Sequence, residues 1–408
     1  MAKGNMIVGQ SGGPTSVINS SLAGVYRTAK DLGANKVYGM LNGIKGLLEG
    51  RYTDLSKYLK NSFDIELLKR TPSAFLGSCR FKLKSYKDDE QTYKRIFKQL
   101  EELDIEYFLY IGGNDSMDTI QNLYEYGKAI NSPIRFVGVP KTIDNDLAVT
   151  DHSPGYGSAA KYVATAIKEL EQDGMVYGKQ ITIAEVMGRN AGWLTAAAAL
   201  ARSENCDGAD MILLPELAFD PDAFVDRVGE LLSQKSTIVI AVSEGIKLAD
   251  GRYVSEVSSS KALDAFGHAS LGGTASQLSE LIGDKYGLKT RPVEFSALQR
   301  CASHCASATD VNEAFQVGGQ AVKAAMEGQT GKAAIYIRTS DTPYQCATGI
   351  TDASNIANVE RKVPKEWITQ NGTYVSQQFI NYMRPLIQGE IAPVYKDGLP
   401  LHLTLKDA

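Results

Sequence analysis

Two carboxylates two residues apart, Asp144 and Asp146, follow the ammonium of Lys141 and the hydroxyl of Thr142 in the run Val139-Pro140-Lys141-Thr142-Ile143-Asp144-Asn145-Asp146. An acid that can take a proton, beside a cation that can hold an anion, equips a site for a phosphorylated, hydroxylated substrate. The run closes the apolar segment Phe136-Val137-Gly138, so its charges stand where a strand ends. In an open parallel sheet that end is where ligands bind. Upstream, Tyr107-Phe108-Leu109-Tyr110-Ile111 leads into Gly112-Gly113-Asn114-Asp115-Ser116, which reads as a strand, a Gly-Gly turn and a helix start. Two such turns predict one shared cleft.

A third turn, Gly9-Gln10-Ser11-Gly12-Gly13-Pro14-Thr15, follows the first apolar segment and precedes a helix predicted to begin near Thr15. Glycine lets backbone approach a phosphate closely, and a helix N-terminus offers unpaired amide donors. A plain tight turn is the other reading of the same residues. The Gly-Lys-Ser/Thr ending of a Walker A loop is absent, which disfavours a P-loop kinase. Taken alone, Asp144 also suits an Asx turn. Arg80, Arg189, Arg291 and Arg300, scattered along the chain, read individually as ordinary surface arginines.

The elements that must position these residues are short apolar segments alternating with helical patterns. Strands are predicted at 6–9, 36–41, 107–111, 135–139, 181–186, 211–215, 237–242 and 333–337. Such alternation argues for right-handed crossovers and parallel sheet in an α/β protein. A polar connection from Asp146 to Gly157 reads as the passage into a second α/β lobe, followed by an amphipathic helix over 158–170. Its first-turn amides face either an anion or a capping side chain. The expected division is 1–150 for the first lobe, 151–300 for the second, and 301–408 for a segment completing both. The Ala-rich stretch 195–201 predicts a packed helix. A polar segment is expected after Arg338, and then a core helix over 374–389 that closes the second lobe.

With 408 residues the chain is long enough for two domains, and 43% apolar and 22% charged residues are ordinary globular values. The net charge of −4 gives no global attraction to nucleic acid or to an anionic membrane, so any anion site must be local. Residues 1–6 lack the apolar core of a secretory signal, and no apolar run approaches a membrane span. Five scattered cysteines do not read as a disulfide framework, and a reducing cytoplasm is the expected compartment. Cys301, His304 and Cys305 lack a fourth zinc ligand at the usual spacing, so buried helical residues are expected there.

Together with Phe75-Leu76-Gly77-Ser78-Cys79-Arg80, Glu185-Val186-Met187-Gly188-Arg189, Ser243-Glu244-Gly245 and Leu298-Gln299-Arg300, the three turns resemble the phosphofructokinase family over roughly residues 5–345. The resemblance implies two lobes, each a mainly parallel sheet flanked by helices, with 1–150 as the phosphoryl-donor lobe and 151–300 as the sugar-phosphate lobe, and a Mg²⁺-dependent phosphoryl transfer. It makes Asp144 the proton acceptor, with Thr142 and Asp146 beside it, and puts Arg80 on the transferred phosphoryl group. Met187, Gly188, Arg189 and Glu244 would hold the sugar hydroxyls, and Arg291 and Arg300 the 6-phosphate. Gly12, Gly13, Gly113, Asn114, Asp115, Ser116 and Lys141 would take the donor. Asp115, with Asn114 as a second candidate, would face the metal.

This sequence departs from the family pattern at three positions. Asn114 replaces a common metal-associated Asp, Gln180 an arginine that reaches a neighbouring subunit's sugar phosphate, and Ala297 a frequent His or Tyr. Asp115 and Lys141 stand where ATP-using members carry Gly, and resemble the pair in pyrophosphate-using members, as does Tyr382-Met383-Arg384-Pro385-Leu386-Ile387 near the C-terminus. A side chain at 115 would fill the space of a nucleotide α-phosphate, while Lys141 would neutralise bare pyrophosphate. A unit charge at about 4 Å is worth roughly 4 kcal/mol at an effective dielectric of about 20, about a thousandfold in binding.

The expectation is reversible transfer from pyrophosphate to the 1-hydroxyl of fructose 6-phosphate, by a homo-oligomer, dimer or tetramer, with no nucleic-acid or membrane partner. An ATP-dependent phosphofructokinase is the alternative, and a catalytically silent regulatory subunit a further one, against which the presence of both carboxylates speaks. Sedoheptulose 7-phosphate is a further acceptor of the same class.

Overall fold

Each predicted strand forms. In the computed structural model, which describes residues 4–256 and 273–405, the first sheet contains β1 (Asn5–Gln10), β2 (Val37–Met40), β3 (Tyr52–Asp54), β4 (Ile105–Gly112) and β5 (Arg135–Pro140). The second contains β6 (Gln180–Val186), β7 (Met211–Leu213), β8 (Thr237–Ser243) and β9 (Thr290–Glu294); β10 (Lys332–Asp341) and β11 (Tyr344–Asp352) return to the first. The first sheet runs β11-β10-β5-β4-β1-β2-β3, parallel from β10 to β2 with an antiparallel strand at each edge. The second runs β9-β6-β8-β7 and is parallel throughout. Helices cover both, so the central strands are buried on both faces and read as unbroken apolar runs.

Three strands of these two sheets escaped the sequence pattern. β9 carries Pro292 and two charged residues, which an edge strand tolerates because its outer amides need no partner. β11 was expected as a polar segment; as an edge strand it is half-exposed along its length and shows no apolar run. β3 is three residues long.

Helices α1 (Ile18–Asp31), α2 (Asn114–Ala129), α3 (Tyr156–Gly174), α4 (Ala308–Met326) and α5 (Gln377–Met383) matter for the cleft. α1 starts three residues beyond the predicted Thr15. Thr15 Oγ1 accepts the Val17 amide at 3.2 Å, a local bond that competes with helix. The Gly12-Gly13 loop therefore stands clear of the helix end. At the start of α3, the buried carboxylate of Asp310 accepts the Gly155 and Ser158 amides at 2.9 and 2.8 Å, so the helix is capped from within the protein. The Ala-rich run forms a short helix and a 3₁₀ segment, all buried. The helix expected over 374–389 is shorter: α5 begins at Gln377, where Ser376 caps it, and gives way after Met383 to a 3₁₀ turn at Arg384–Ile387, with Phe379, Met383 and Leu386 in one core cluster with Trp193. Cys301, His304 and Cys305 lie in a short helix and the following 3₁₀ turn, half-buried or exposed rather than buried. No helix among the described residues is long and apolar enough to cross a membrane.

Candidate active site

The turn after β5 is built from both sides. Lys141 donates its backbone amide to Gly112 O at 2.9 Å, which joins the ends of β4 and β5. Thr142, Asp144 and Asp146 then face a cleft of about 420 Å³, while Ile143, Asn145 and Leu147 point into the core. That alternation is what an extended segment predicts. It survives although Asn145 has φ 53°, a left-handed conformation that Asn accepts more readily than most residues. Thr142 Oγ1 accepts the Asp144 amide at 3.1 Å.

Behind the turn stands a polar scaffold. Buried Asn145 accepts the Ser153 amide at 3.0 Å and donates to the Tyr382 hydroxyl at 3.0 Å. Arg361 donates to the carbonyls of Asn145, Thr150 and Asp151, its own amide donates to Asp146 O at 2.7 Å, and its guanidinium lies 4.7 Å from the Trp193 ring centroid. One side chain from the C-terminal segment thus satisfies three backbone acceptors of the loop between the lobes. Buried carbonyls without such partners would be costly.

Burial then sets the charges. It raises the Asp144 carboxyl to about 6, reinforced by Glu244 and opposed by Lys141. Asp146 is raised to about 7, first by burial and then by the neighbouring Asp144 and Glu360 carboxylates. Lys141, only 4% exposed, is lowered to about 8 by burial, with Asp144 and Asp146 partly restoring its charge. Its ammonium donates to Gly13 O at 2.6 Å. An acid made basic and an ammonium held in a dry wall suit proton transfer and anion binding at neutral pH.

The donor-side wall comes from three strand ends. Gly12 has φ 74°, donates to Cys79 O at 3.1 Å and accepts the Ser78 hydroxyl at 2.6 Å. The glycine loop is thereby fixed to the segment ending in Arg80, which stands exposed on the cleft rim. Gly113 is the N-cap of α2, so Asn114, Asp115 and Ser116 form its first turn, beside Lys141. Asn114 is tied to the segment after residue 357. Its side chain donates to Val359 O at 2.8 Å and accepts the Asn358 amide, which occupies both polar ends.

The opposite wall follows β6. Gly188 has φ 144°, and a Cβ there would press on the Ala191 carbonyl, so glycine is required for the turn to pass. Glu244 accepts the Gly188 amide at 3.3 Å, Gln299 accepts that of Met187 at 3.3 Å, and the Ser243 hydroxyl donates to Gly188 O. Burial raises the Glu244 carboxyl as well. Arg189 lines the cleft, and Arg300 borders it, its Nη1 reaching within 3.5 Å of where a Gly13 Cβ would lie. Arg291 is the exception among the expected residues. It sits exposed on the edge strand β9, paired with Asp173 at 2.5 Å, and does not line the cleft of its own chain. Within one chain only Arg300 of the expected two-arginine clamp borders the cleft, because β9 lies outermost in the sheet.

Glu360 and Asn190 also line the cleft, and Arg361 and Tyr382 support it, yet none was singled out as a site residue. No local motif marks Glu360, Asn190 or Arg361. Tyr382 alone lies in a recognisable run, Tyr382-Met383-Arg384-Pro385.

Comparison with known proteins agrees with this geometry. The family model described as phosphofructokinase matches residues 5–325. A pyrophosphate–fructose 6-phosphate 1-phosphotransferase of Xanthomonas campestris is 41% identical, covering 100% of this chain and 97% of that protein. The protein of the same name from Methylococcus capsulatus is 40% identical, over 99% of this chain and 96% of that one. A solved pyrophosphate-dependent phosphofructokinase from Marinobacter aquaeolei superposes with a TM-score of 0.88 at 36% identity, covering 100% and 97% of the two chains.

Proposed function

This chain belongs to the phosphofructokinase family, and from that premise we propose that it transfers a phosphoryl group reversibly from pyrophosphate to the 1-hydroxyl of fructose 6-phosphate. The products are fructose 1,6-bisphosphate and phosphate. The observation that carries this reading is that Asp115, in the first turn of α2, and buried Lys141 line the same cleft. In the forward direction Asp144 takes the proton of the attacking hydroxyl, the new P–O bond forms, and the bridging P–O bond of pyrophosphate breaks to release phosphate. Lys141 and Arg80 hold the anionic group in transit, and Arg189, Glu244 and Arg300 orient the sugar phosphate. Positioning and charge stabilisation carry most of such a reaction.

A divalent metal is general in the family, and Mg²⁺ fits the residues present. Asp115, which lines the cleft, would offer this ion a hard oxygen donor, with Asn114 next to it in the same helical turn and phosphate oxygens and waters completing the shell. When bound it would neutralise charge on the phosphates. Free thiols at all five cysteines support a reducing cytoplasm. A homo-oligomer, dimer or tetramer, is part of this proposal. The test is direct: with fructose 6-phosphate, Mg²⁺ and pyrophosphate, purified protein should release phosphate and fructose 1,6-bisphosphate in equal amounts. The reverse mixture should regenerate pyrophosphate. Absence of both reactions would refute the assignment.

A further inference from the structure

The family match ends at residue 325, yet the cleft is completed by a strap beyond it. Residues 358–361 are fixed to the donor-side wall along their backbone. Asn114 spends both ends of its side chain on Asn358 and Val359, Glu360 pairs with Leu147 in an antiparallel bridge, and the Arg361 amide donates to Asp146 O. From this anchored backbone the Glu360 side chain reaches the other wall, where its Oε1 accepts from Asn190 Nδ2 at 3.0 Å. Asn190 directly follows Met187-Gly188-Arg189, the turn that faces the acceptor.

We propose that Glu360 is a positioning residue, a tie through Asn190 that holds the acceptor turn in register with the donor wall. The proposal rests on the phosphotransferase reading and assigns a purpose to Asn114 within it: holding the strap. Three observations carry it. The Glu360 carboxylate lines the same cleft as Asp144 and Asp146, so it is not a remote surface group. Its partner is a neutral amide on the opposite lobe, so a geometric bond rather than charge pairing joins the two. The strap is held at successive residues to the turn that carries the base, which gives the tie a fixed origin. A hydrogen bond fixes direction as well as distance, and a small misplacement of acceptor-binding groups is costly in phosphoryl transfer.

The experiment uses the full chain and the variants Glu360→Ala, Glu360→Gln and Asn190→Ala. It measures KM for fructose 6-phosphate and for pyrophosphate, kcat, and calorimetric binding of fructose 6-phosphate alone. Glu360→Ala and Asn190→Ala should each raise the acceptor KM roughly fivefold, as loss of one ordering hydrogen bond does, with the pyrophosphate KM unchanged. The double variant should be no worse than either single one, because both remove the same bond. Glu360→Gln should keep wild-type acceptor affinity, since its amide oxygen still accepts from Asn190. An unchanged acceptor KM in Glu360→Ala overturns the proposal. So does a Gln variant as impaired as the Ala variant, or an equal rise in both KM values. Failure of the functional reading looks different: the unmodified chain would then neither turn over nor bind fructose 6-phosphate.

Discussion

Two turns face each other across the cleft, and they are built on opposite plans. The Lys141–Asp146 turn is secured from behind by Asn145, Arg361 and Tyr382, and its charged groups are displaced from their ordinary titration ranges by burial. The Met187–Asn190 turn is half-exposed over Met187, Arg189 and Asn190 and is held by side-chain bonds from Ser243, Glu244, Gln299 and Glu360. Where bonds must break, the protein fixes the reacting groups in advance; where a sugar must enter and leave, it leaves arginines wet and the turn lightly tied. The first turn should therefore control kcat, and the second KM.

The largest effect expected from this contrast is at the base. Asp144→Asn keeps the shape of the turn and removes the proton acceptor, so kcat should fall by more than about 100-fold while fructose 6-phosphate binding is retained. Steady-state kinetics together with calorimetric binding read both halves; near-normal turnover would move the base elsewhere, with Asp146 next. On the opposite wall, Arg300→Ala should chiefly raise KM for fructose 6-phosphate, by about tenfold or more, as loss of about 1.5–3 kcal/mol from a charged hydrogen bond requires. Should the pyrophosphate constant move instead, Arg300 belongs to the donor wall and the contrast between the walls fails.

A smaller, graded effect follows from pH. The carboxylate must be unprotonated to accept a proton, so kcat/KM should rise as pH passes through about 6 to 7, where burial has placed Asp144 and Asp146. It should fall again as Lys141 loses its proton near 8. Stability runs the other way over the acid limb. The folded state retains protons that the unfolded carboxylates have released, so the pair's contribution is least unfavourable at low pH and worsens as pH rises from about 4 toward 7. Thermal melts of wild type and Asp144→Asn across that range check the sign, since the Asn variant should lose part of the slope.

How much of this was legible in the sequence depended on locality. The strands, the three strand-end turns and the cleft-facing alternation of Thr142, Asp144 and Asp146 follow from neighbours in the chain, and each appears in place. What supports them from a distance was not legible. Arg361 meets carbonyls at positions 145, 150 and 151, and Glu360 meets Asn190, pairings that only the assembled lobes create. The place of Arg291 outside its own chain's cleft was hidden for the same reason, because a motif's neighbourhood in sequence does not say which strand becomes the sheet's edge. The bonds of Asn114 to Asn358 and Val359 were hidden in the same way.

Donor choice is the most direct test, because it depends on Asp115 and Lys141 standing together on the rigid wall. Purified wild-type protein, given fructose 6-phosphate and Mg²⁺ with either pyrophosphate or ATP at matched concentrations, should turn over with pyrophosphate and show little or no rate with ATP. Robust ATP-dependent turnover, with none from pyrophosphate, would contradict that assignment and favour an ATP-dependent phosphofructokinase.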